Sequence, residues 1–567
     1  MSLHGGRLVV ACGLLVLVLA HGAPLAASSA TGAVDPGPAV DRDPGAASQP
    51  APAALRLDVQ RHRLDNGMTL LLVERHRAPV VSIVLDFKVG SVDEHAGVIG
   101  AAHFVEHMLF KGTPTVGTRD RERERTIHAA QDRVAAALTA TRRLARQQAR
   151  RLGAVPDSTR ERLAGLGAAL DSLLVEERAV TESEVIERLY ERNGAVDNNA
   201  GTGYDETQYY VSLPANRLEL WARLLAEQME SPVFREFYAE RDVIIEERHR
   251  SVDTQPDLTL YEQVIGTAFL AHPYQIMWEW ESEVEHITRQ ELYDFFRRYY
   301  APNRAVLAIV GDVEPVATIA LIERYFGGIP AQPEPEPVVV EEPVQRGERR
   351  LVVDFDAEPR LLMAWHKGAY DDPDEATFRV IQQILSGGRT SRFHRHLIEG
   401  QRVARTVVVD RFPSSGLLGP LYPELFMVYA EPRAPHTLAE LEHAIDLEVA
   451  RLANEPVEAT VLDRARNMIE ADFVRGLESH MGLAWQLAAF EAVTGDWREL
   501  ERAVARVREV TAEDIMRVAR TTLVPRNRTV GYLVRPDSVG AGAVLTAGGV
   551  GADGPAGAAG GAAGDAP

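Results

Sequence analysis

A run of prolines and glutamates, "IPAQPEPEPVVVEEPVQ" at 329–345, cuts the chain in two, and the pieces on either side repeat one another. Proline at that density holds backbone extended and disfavours helix, so the run reads as a stiff, solvated linker. It separates a first folded block at 55–328 from a second at 346–536. The first block opens with "RHRLDNGMTLLLVER", where Asn66-Gly67 lies between two strand-like runs and signals a hairpin. "APVVSIVLDFKVGSVDE" supplies another strand, and a helix follows. In the second block, "RRLVVDFDAEPRLLMAWHKGAYDD" supplies strands and "EATFRVIQQILSGGRTSR" the helix. The stretches "HFVEHMLFKGT" and "RVIQQILSGGRT" share an apolar rhythm and a glycine ending. The expected fold is therefore α+β: two homologous α/β sandwich halves, each an antiparallel sheet with helices.

Residues 117–192 interrupt that plan with Ala, Leu, Arg and Glu at helical spacing, broken at "AVPDST". They read as a helical-hairpin insertion in the first half. Its arginines read as a solvated helix face, with an acidic partner as the alternative.

The remaining bulk features limit the function. A length of 567 residues, 46% of them hydrophobic and 25% charged, suits a globular chain with two cores. A net charge of −21 argues against a nucleic-acid partner, because phosphate needs a basic surface. After Arg7, "LVVACGLLVLVLA" is apolar and "HGAPLAASSA" is small, so residues 1–27 read as a signal peptide. The alternative is an uncleaved anchor. The run is too short for a comfortable span, so the expected mature protein is exported, periplasmic or secreted, with no stable membrane span. Residues 28–54 and 537–567 read as a disordered leader and a Gly/Ala tail. The only cysteine, Cys12, falls inside the signal. Any metal site in the mature chain must then use His, Asp or Glu.

"AAHFVEHMLFKGT" at 101–113 puts such residues together. On a helix, His103 and His107 lie one turn apart on one face and can present imidazoles to one ion. Glu106 sits beside both but points aside, where a carboxylate can take a proton from water activated by the ion. With 17 histidines in the chain, an accidental H-x-x-E-H arises in roughly a few per cent of such sequences, so a third ligand is needed. "VFREFYAERDVIIEERHR" at 233–250 offers one. Wound at 100° per residue, it has a stripe of Val233, Phe237, Val243 and Ile244 that also contains Glu240 and Glu247, while Asp242 and Glu246 point elsewhere. A carboxylate aimed at a core is costly unless paired or metal-bound, although surface helices do carry stray acids at their flanks. In the second block Arg379, Gln382 and Gln383 replace the two histidines and the glutamate.

"HFVEH" followed by "ERDVIIEE" resembles the inverzincin peptidases of the pitrilysin and mitochondrial processing peptidase family. "FKGT", "NNAGTGYDETQYYVSLP", "HPY" and "YYAPNRAVLAIVGDV" agree, and the resemblance covers nearly all of 56–535. It implies one Zn2+ per chain held by His103, His107 and Glu247, with Glu106 as general base and Glu240 as a supporting acid behind the ligands. It implies a clamshell of two halves that encloses peptides, with substrate added as a strand along "AGTGYDETQYYV", where Asn199 and Ala200 begin the contact.

Two features depart from the family. Glu247 follows His107 by 140 residues, about twice the usual gap, and the insertion accounts for the surplus. Active members often carry an Arg and a Tyr, seven apart, in the second half; the corresponding residues here are Ile398 and Arg405, which leaves Arg405 as a lone charge for substrate. That absence suggests the zinc-bearing subunit of a heterodimer with a homologous partner chain, or else a homodimer or a member that holds substrate differently. The expected function is a zinc-dependent metalloendopeptidase acting on peptides or unfolded segments. A catalytically silent scaffolding subunit is the alternative, and a plain metal-binding module with the insertion as its working part is a third reading. Trp278 and Trp280 read as packing or rim residues. His394 and His396 fall on opposite sides of a helix and make no second metal site. "SGGRTSR" follows a helix where a phosphate loop should precede one.

Overall fold

The computed structural model describes residues 57–413 and 417–536. The expected signal peptide (1–27), leader (28–54) and tail (537–567) lie outside the described residues. Eleven strands form two sheets among those described. The first contains β1 (Gln60–Arg63), β2 (Thr69–Glu74), β3 (Val80–Phe87), β4 (Val196–Thr202), β5 (Thr207–Pro214) and β6 (Ala305–Gly311), in the order β1-β2-β6-β3-β5-β4. The second contains β7 (Arg349–Asp354), β8 (Arg360–Lys367), β9 (Ala404–Phe412), β10 (Glu424–Pro432) and β11 (Arg528–Val534), in the order β7-β11-β8-β10-β9. Each sheet is antiparallel except for one parallel pair, β2 with β6 and β7 with β11. β1 and β2 form the hairpin signalled by Asn66-Gly67, with Gly67 at φ +90° in the turn.

The central strands are apolar on both faces. On the first sheet Leu70, Ile83, Leu85, Leu307 and Ile309 face one core, while Leu71, Val84, Val306, Ala308 and Val310 face another. A strand with both faces buried loses the period-2 alternation and needs a cover on each side. One cover is local. Helix α1 (Ala101–Leu109) packs on the first sheet beside a hairpin of α2 (Arg121–Leu152) and α3 (Asp157–Val180) and the later α4 (Phe237–Arg248).

The other cover is exchanged between halves. Helix α5 (Pro256–Ala268) belongs to the first half, yet Leu260, Tyr261, Val264 and Ile265 pack on Leu362, Ala364, Leu425 and Met427 of the second sheet. The second half places α6 (Glu375–Ser386) over its own core and sends α7 (His480–Thr494) back, where Leu483 and Leu487 cover Leu71, Val84 and Val310. Burying a large apolar side chain contributes about 1.5–3 kcal/mol, so each exchanged helix outweighs anything a solvated linker supplies.

Gly531 on β11 lets α5 approach. A Cβ there would lie 2.3 Å from Val264 Cγ2 and 3.1 Å from Leu260 Cδ1. Gly531→Val is expected to lower stability by about 1–3 kcal/mol through overpacking, read as a lower urea midpoint. An unchanged midpoint would mean that α5 does not bear on this sheet.

The linker is exposed along most of its length but fastened at several points. Asn303 exchanges hydrogen bonds with the backbone of Gln332 at 3.0 Å. The Glu342 carboxylate accepts from the N–H groups of Leu270, Ala271 and His272 at 2.9–3.2 Å. Gln345 donates to the Arg528 carbonyl at 2.7 Å. It is a strap between the halves and not a free tether.

The helical hairpin is rooted by polar groups. Arg235, 1% exposed, binds the Glu124 carboxylate, and its guanidinium also donates to the carbonyls of Lys111, Thr113 and Val116 at 2.8–3.0 Å. Glu177 accepts from the Glu236 N–H at 2.9 Å and from Gln131 at 2.7 Å, and Tyr238 donates to Asp132. Burial opposes the Glu177 carboxylate, but the His128 hydrogen bond and these donors pull its pKa down to about 2. These contacts fall on residues just before α4, Arg235 and Glu236, and just after α1, Lys111 and Thr113.

Candidate metal centre

All nine residues of α1 are buried, including His103 (5% exposed), Glu106 (3%) and His107 (5%). Three polar side chains in such a helix need partners. The helix starts at Gly100, φ +95°, and the half-buried Glu94 carboxylate accepts from the N–H groups of Gly100 and Ala102 at 2.8 Å each. Burial pushes the Glu94 pKa up to about 8 in spite of those two donors.

Phe104 stacks on Phe237 at 4.7 Å and brings α4 alongside α1. That contact delivers Glu240 and Glu247, one turn and nearly three turns further on. The apolar stripe is narrower than the spacing implies. The helix begins only at Phe237, after Glu236 at φ 54°, so Val233 lies outside it, and Val243 is 45% exposed. Phe237, Ile244 and Arg248 form the buried line, with Glu240 and Glu247 along its edge.

His103 Nε2 and His107 Nε2 face each other at 3.2 Å. Glu247 Oε2 lies 3.6 Å from the second and 4.0 Å from the first. His103, His107 and Glu247 are the only three residues whose ligand atoms converge in this way among the described residues, all within 4.8 Å of one another. Behind them, His107 Nδ1 is 2.9 Å from Glu240 Oε1, and His103 Nδ1 is 2.9 Å from Glu279 Oε1. An ionised carboxylate only accepts, so each Nδ1 carries the proton and each Nε2 presents a lone pair toward the same point. Ligands ~2.0–2.1 Å from a tetrahedral zinc stand about 3.3 Å apart, which the three spacings approach. The donor set fits such an ion, and no thiolate is called for.

Glu106 is not one of the three converging residues, and its Oε2 accepts from the Thr202 hydroxyl at 2.7 Å. Thr202 ends β4, the edge strand that also carries Asn199 and Ala200. Lys111 Nζ lies 2.5 Å from Glu240 Oε2. Burial works against the Glu240 carboxylate, but His107 and Lys111 outweigh it and hold its pKa below the usual range. Glu279 is likewise held low, with burial opposing and His103 outweighing it. Arg405 pairs with Glu431 on β10 and stays largely exposed, and Ile398 packs against the second half's core.

Glu279, Thr202 and Lys111 carry no motif that sets them apart in the sequence. Glu279 did leave a signal: it is an acid between two tryptophans in "WEW", the same anomaly that singled out Glu240 and Glu247. Of those tryptophans, Trp278 is buried in the core under α5 and Trp280 is 42% exposed. The second half repeats the frame with Arg379, Gln382 and Gln383 in place of the two histidines and the glutamate. There Arg379 joins a buried ion cluster of Lys367, Arg411, Glu375 and Glu424, with Lys367 Nζ 2.6 Å from Glu424. Burial, with Arg411 nearby, pushes the Arg379 pKa down to about 9.

A family model described as "Insulinase (Peptidase family M16)" matches residues 69–142 and 160–277, and one described as "Peptidase M16 inactive domain" matches 286–469. This chain belongs to peptidase family M16. The first M16 match skips 143–159, the tip of the α2–α3 hairpin, and the second begins ahead of β6, still within the first sheet's part of the chain. Among M16 relatives, the "Zinc protease PqqE" of Helicobacter pylori is 23% identical over 80% of this chain and 88% of its own length. The "Probable mitochondrial-processing peptidase subunit beta, mitochondrial" of Arabidopsis thaliana is 24% identical over 80% of this chain and 74% of its own. A crystal structure of a protease from Helicobacter pylori superposes with a TM-score of 0.68 at 22% identity, covering 84% of this chain and all of that one. The two-half M16 architecture follows from that likeness. Among the described residues no helix is long and apolar enough to cross a membrane.

Proposed function

We propose that this M16 chain is a zinc-dependent metalloendopeptidase hydrolysing peptides or unfolded protein segments. The observation that carries this reading is the convergence of His103, His107 and Glu247 within 4.8 Å, beside a glutamate that is not one of them. A bound Zn2+, one per chain, would polarise a substrate carbonyl and make water acidic enough to ionise near neutrality. Glu106 is the general base: fixed by Thr202, it takes a proton from the attacking water and passes it to the leaving amine. Glu240 holds the His107 imidazole, with Lys111 holding Glu240 in turn. Substrate lies along β4 as an added strand, with Asn199 and Ala200 a few residues from the Thr202 that touches the base.

Arg405 and Ile398 do not reproduce the Arg/Tyr pair, so we further propose a homologous partner chain that supplies it, in a heterodimer. Arg405, tied to Glu431, serves as a secondary contact for substrate. A relative named as a beta subunit supports this reading. The apolar stretch at 8–20 supports export to a periplasm or beyond.

The test takes residues 28–567 alone and measures bound zinc and cleavage of an unstructured peptide. One zinc per chain is expected. Zinc with vigorous cleavage would establish the peptidase and overturn the heterodimer. Zinc without cleavage, restored by a homologous chain, would establish both. Zinc with no cleavage under any pairing would leave the silent subunit, and no zinc would overturn the metal reading altogether.

A further inference from the structure

Residues 278–280, "WEW", touch both metal-bearing helices. Glu279 is 7% exposed, and its carboxylate lies 2.9 Å from His103 Nδ1 on α1. Its own backbone carbonyl accepts from Arg248 Nη1 at 3.2 Å, and Arg248 is the neighbour of Glu247 on α4. The Arg248 guanidinium stacks 4.5 Å over the Trp280 ring and is anchored on Glu262 at 2.9 Å. Trp278 meets the His103 ring edge-on at 6.2 Å. Gly100 leaves room for the Glu279 stem, since a Cβ there would sit 2.7 Å from Glu279 Cβ. One acid is thus boxed in by the start of α1, by the imidazole behind which it stands, and by the helix that brings Glu247.

We infer that residues 278–280 form a positioning clamp for the metal: Glu279 fixes the His103 tautomer and ring angle, and its carbonyl ties that imidazole to the helix bearing Glu247. This rests on the zinc reading above and adds a residue outside every motif that suggested it. Glu279 touches neither substrate nor ion; it acts through His103. Without it, His103 keeps its place on α1 but can turn about its side-chain bonds, and its Nδ1 proton is no longer held. Partners of metal-bound histidines typically govern affinity 10–100-fold. The Glu240–His107 pair does the same work on the other imidazole, so the two histidines are braced from opposite chain segments.

The test is a zinc titration against a competing chelator on residues 28–567, with melting of the zinc-free proteins alongside. Glu279→Ala is expected to bind zinc 10–100-fold more weakly. Glu279→Gln, which keeps an oxygen able to accept from Nδ1, should recover much of that loss. Affinities equal to wild type in both variants would overturn the clamp. So would equal losses in both that track a lower zinc-free melting temperature, because a purely structural residue behaves that way. A wild-type chain that binds no zinc fails at the functional reading, which separates that failure from this one.

Discussion

Glu106→Gln is expected to hold one zinc ion per chain and to cleave an unstructured peptide about 100- to 10,000-fold more slowly than wild type, the span attributed to general acid–base catalysis. The substitution keeps shape and burial, and the amide oxygen still accepts the Thr202 hydroxyl. What disappears is the capacity to take a proton. The His103, His107 and Glu247 spacings do not involve Glu106, so metal content should not move. Zinc stoichiometry and kcat, measured on the same preparation, decide the matter. Undiminished kcat would remove Glu106 from the chemistry. Loss of both zinc and kcat would make it a ligand and displace Glu247 from that role.

How much of this was legible depended on distance along the chain. His103, Glu106 and His107 fall within five positions, and helical geometry alone places them. Glu240 and Glu247 stand out as acids in an apolar stripe that is narrower than the spacing suggests, since Val233 precedes the helix and Val243 faces outward. Glu279 reaches His103 from 176 residues away, and no local rule connects the two. The exchanged helices were hidden for a related reason. β2, β3, β6, β8 and β10 read as continuous apolar runs, which announce burial on both faces without saying what covers them. The second cover is α5 or α7, each supplied by the opposite half, and amphipathicity cannot name a partner. The linker misled in the same way, since Glu342 looks solvated until three N–H groups at 270–272 are folded around it.

The other large effect concerns the root of the hairpin. Arg235→Leu is expected to destabilise the protein by about 3–5 kcal/mol, the cost of leaving one member of a buried ion pair unpaired. Glu124 is 3% exposed, and its carboxylate would lose the guanidinium while staying away from water. The carbonyls of Lys111, Thr113 and Val116 would lose a donor at the same time. Little else can fill that space, since a Cβ on Gly112 or Gly117 would already lie 2.4 or 3.0 Å from Arg235 Nη1. The double variant Arg235→Leu with Glu124→Leu removes the stranded charge and should recover part of the loss, because paired buried ions are often replaceable by apolar groups. Urea midpoints of the wild type, the single and the double variant test this directly. A single variant as stable as wild type would show that water reaches Glu124 and that the hairpin is rooted by its apolar contacts. A single variant that also binds zinc more weakly would carry the effect further, because the segment Arg235 holds includes Lys111, and Lys111 holds Glu240.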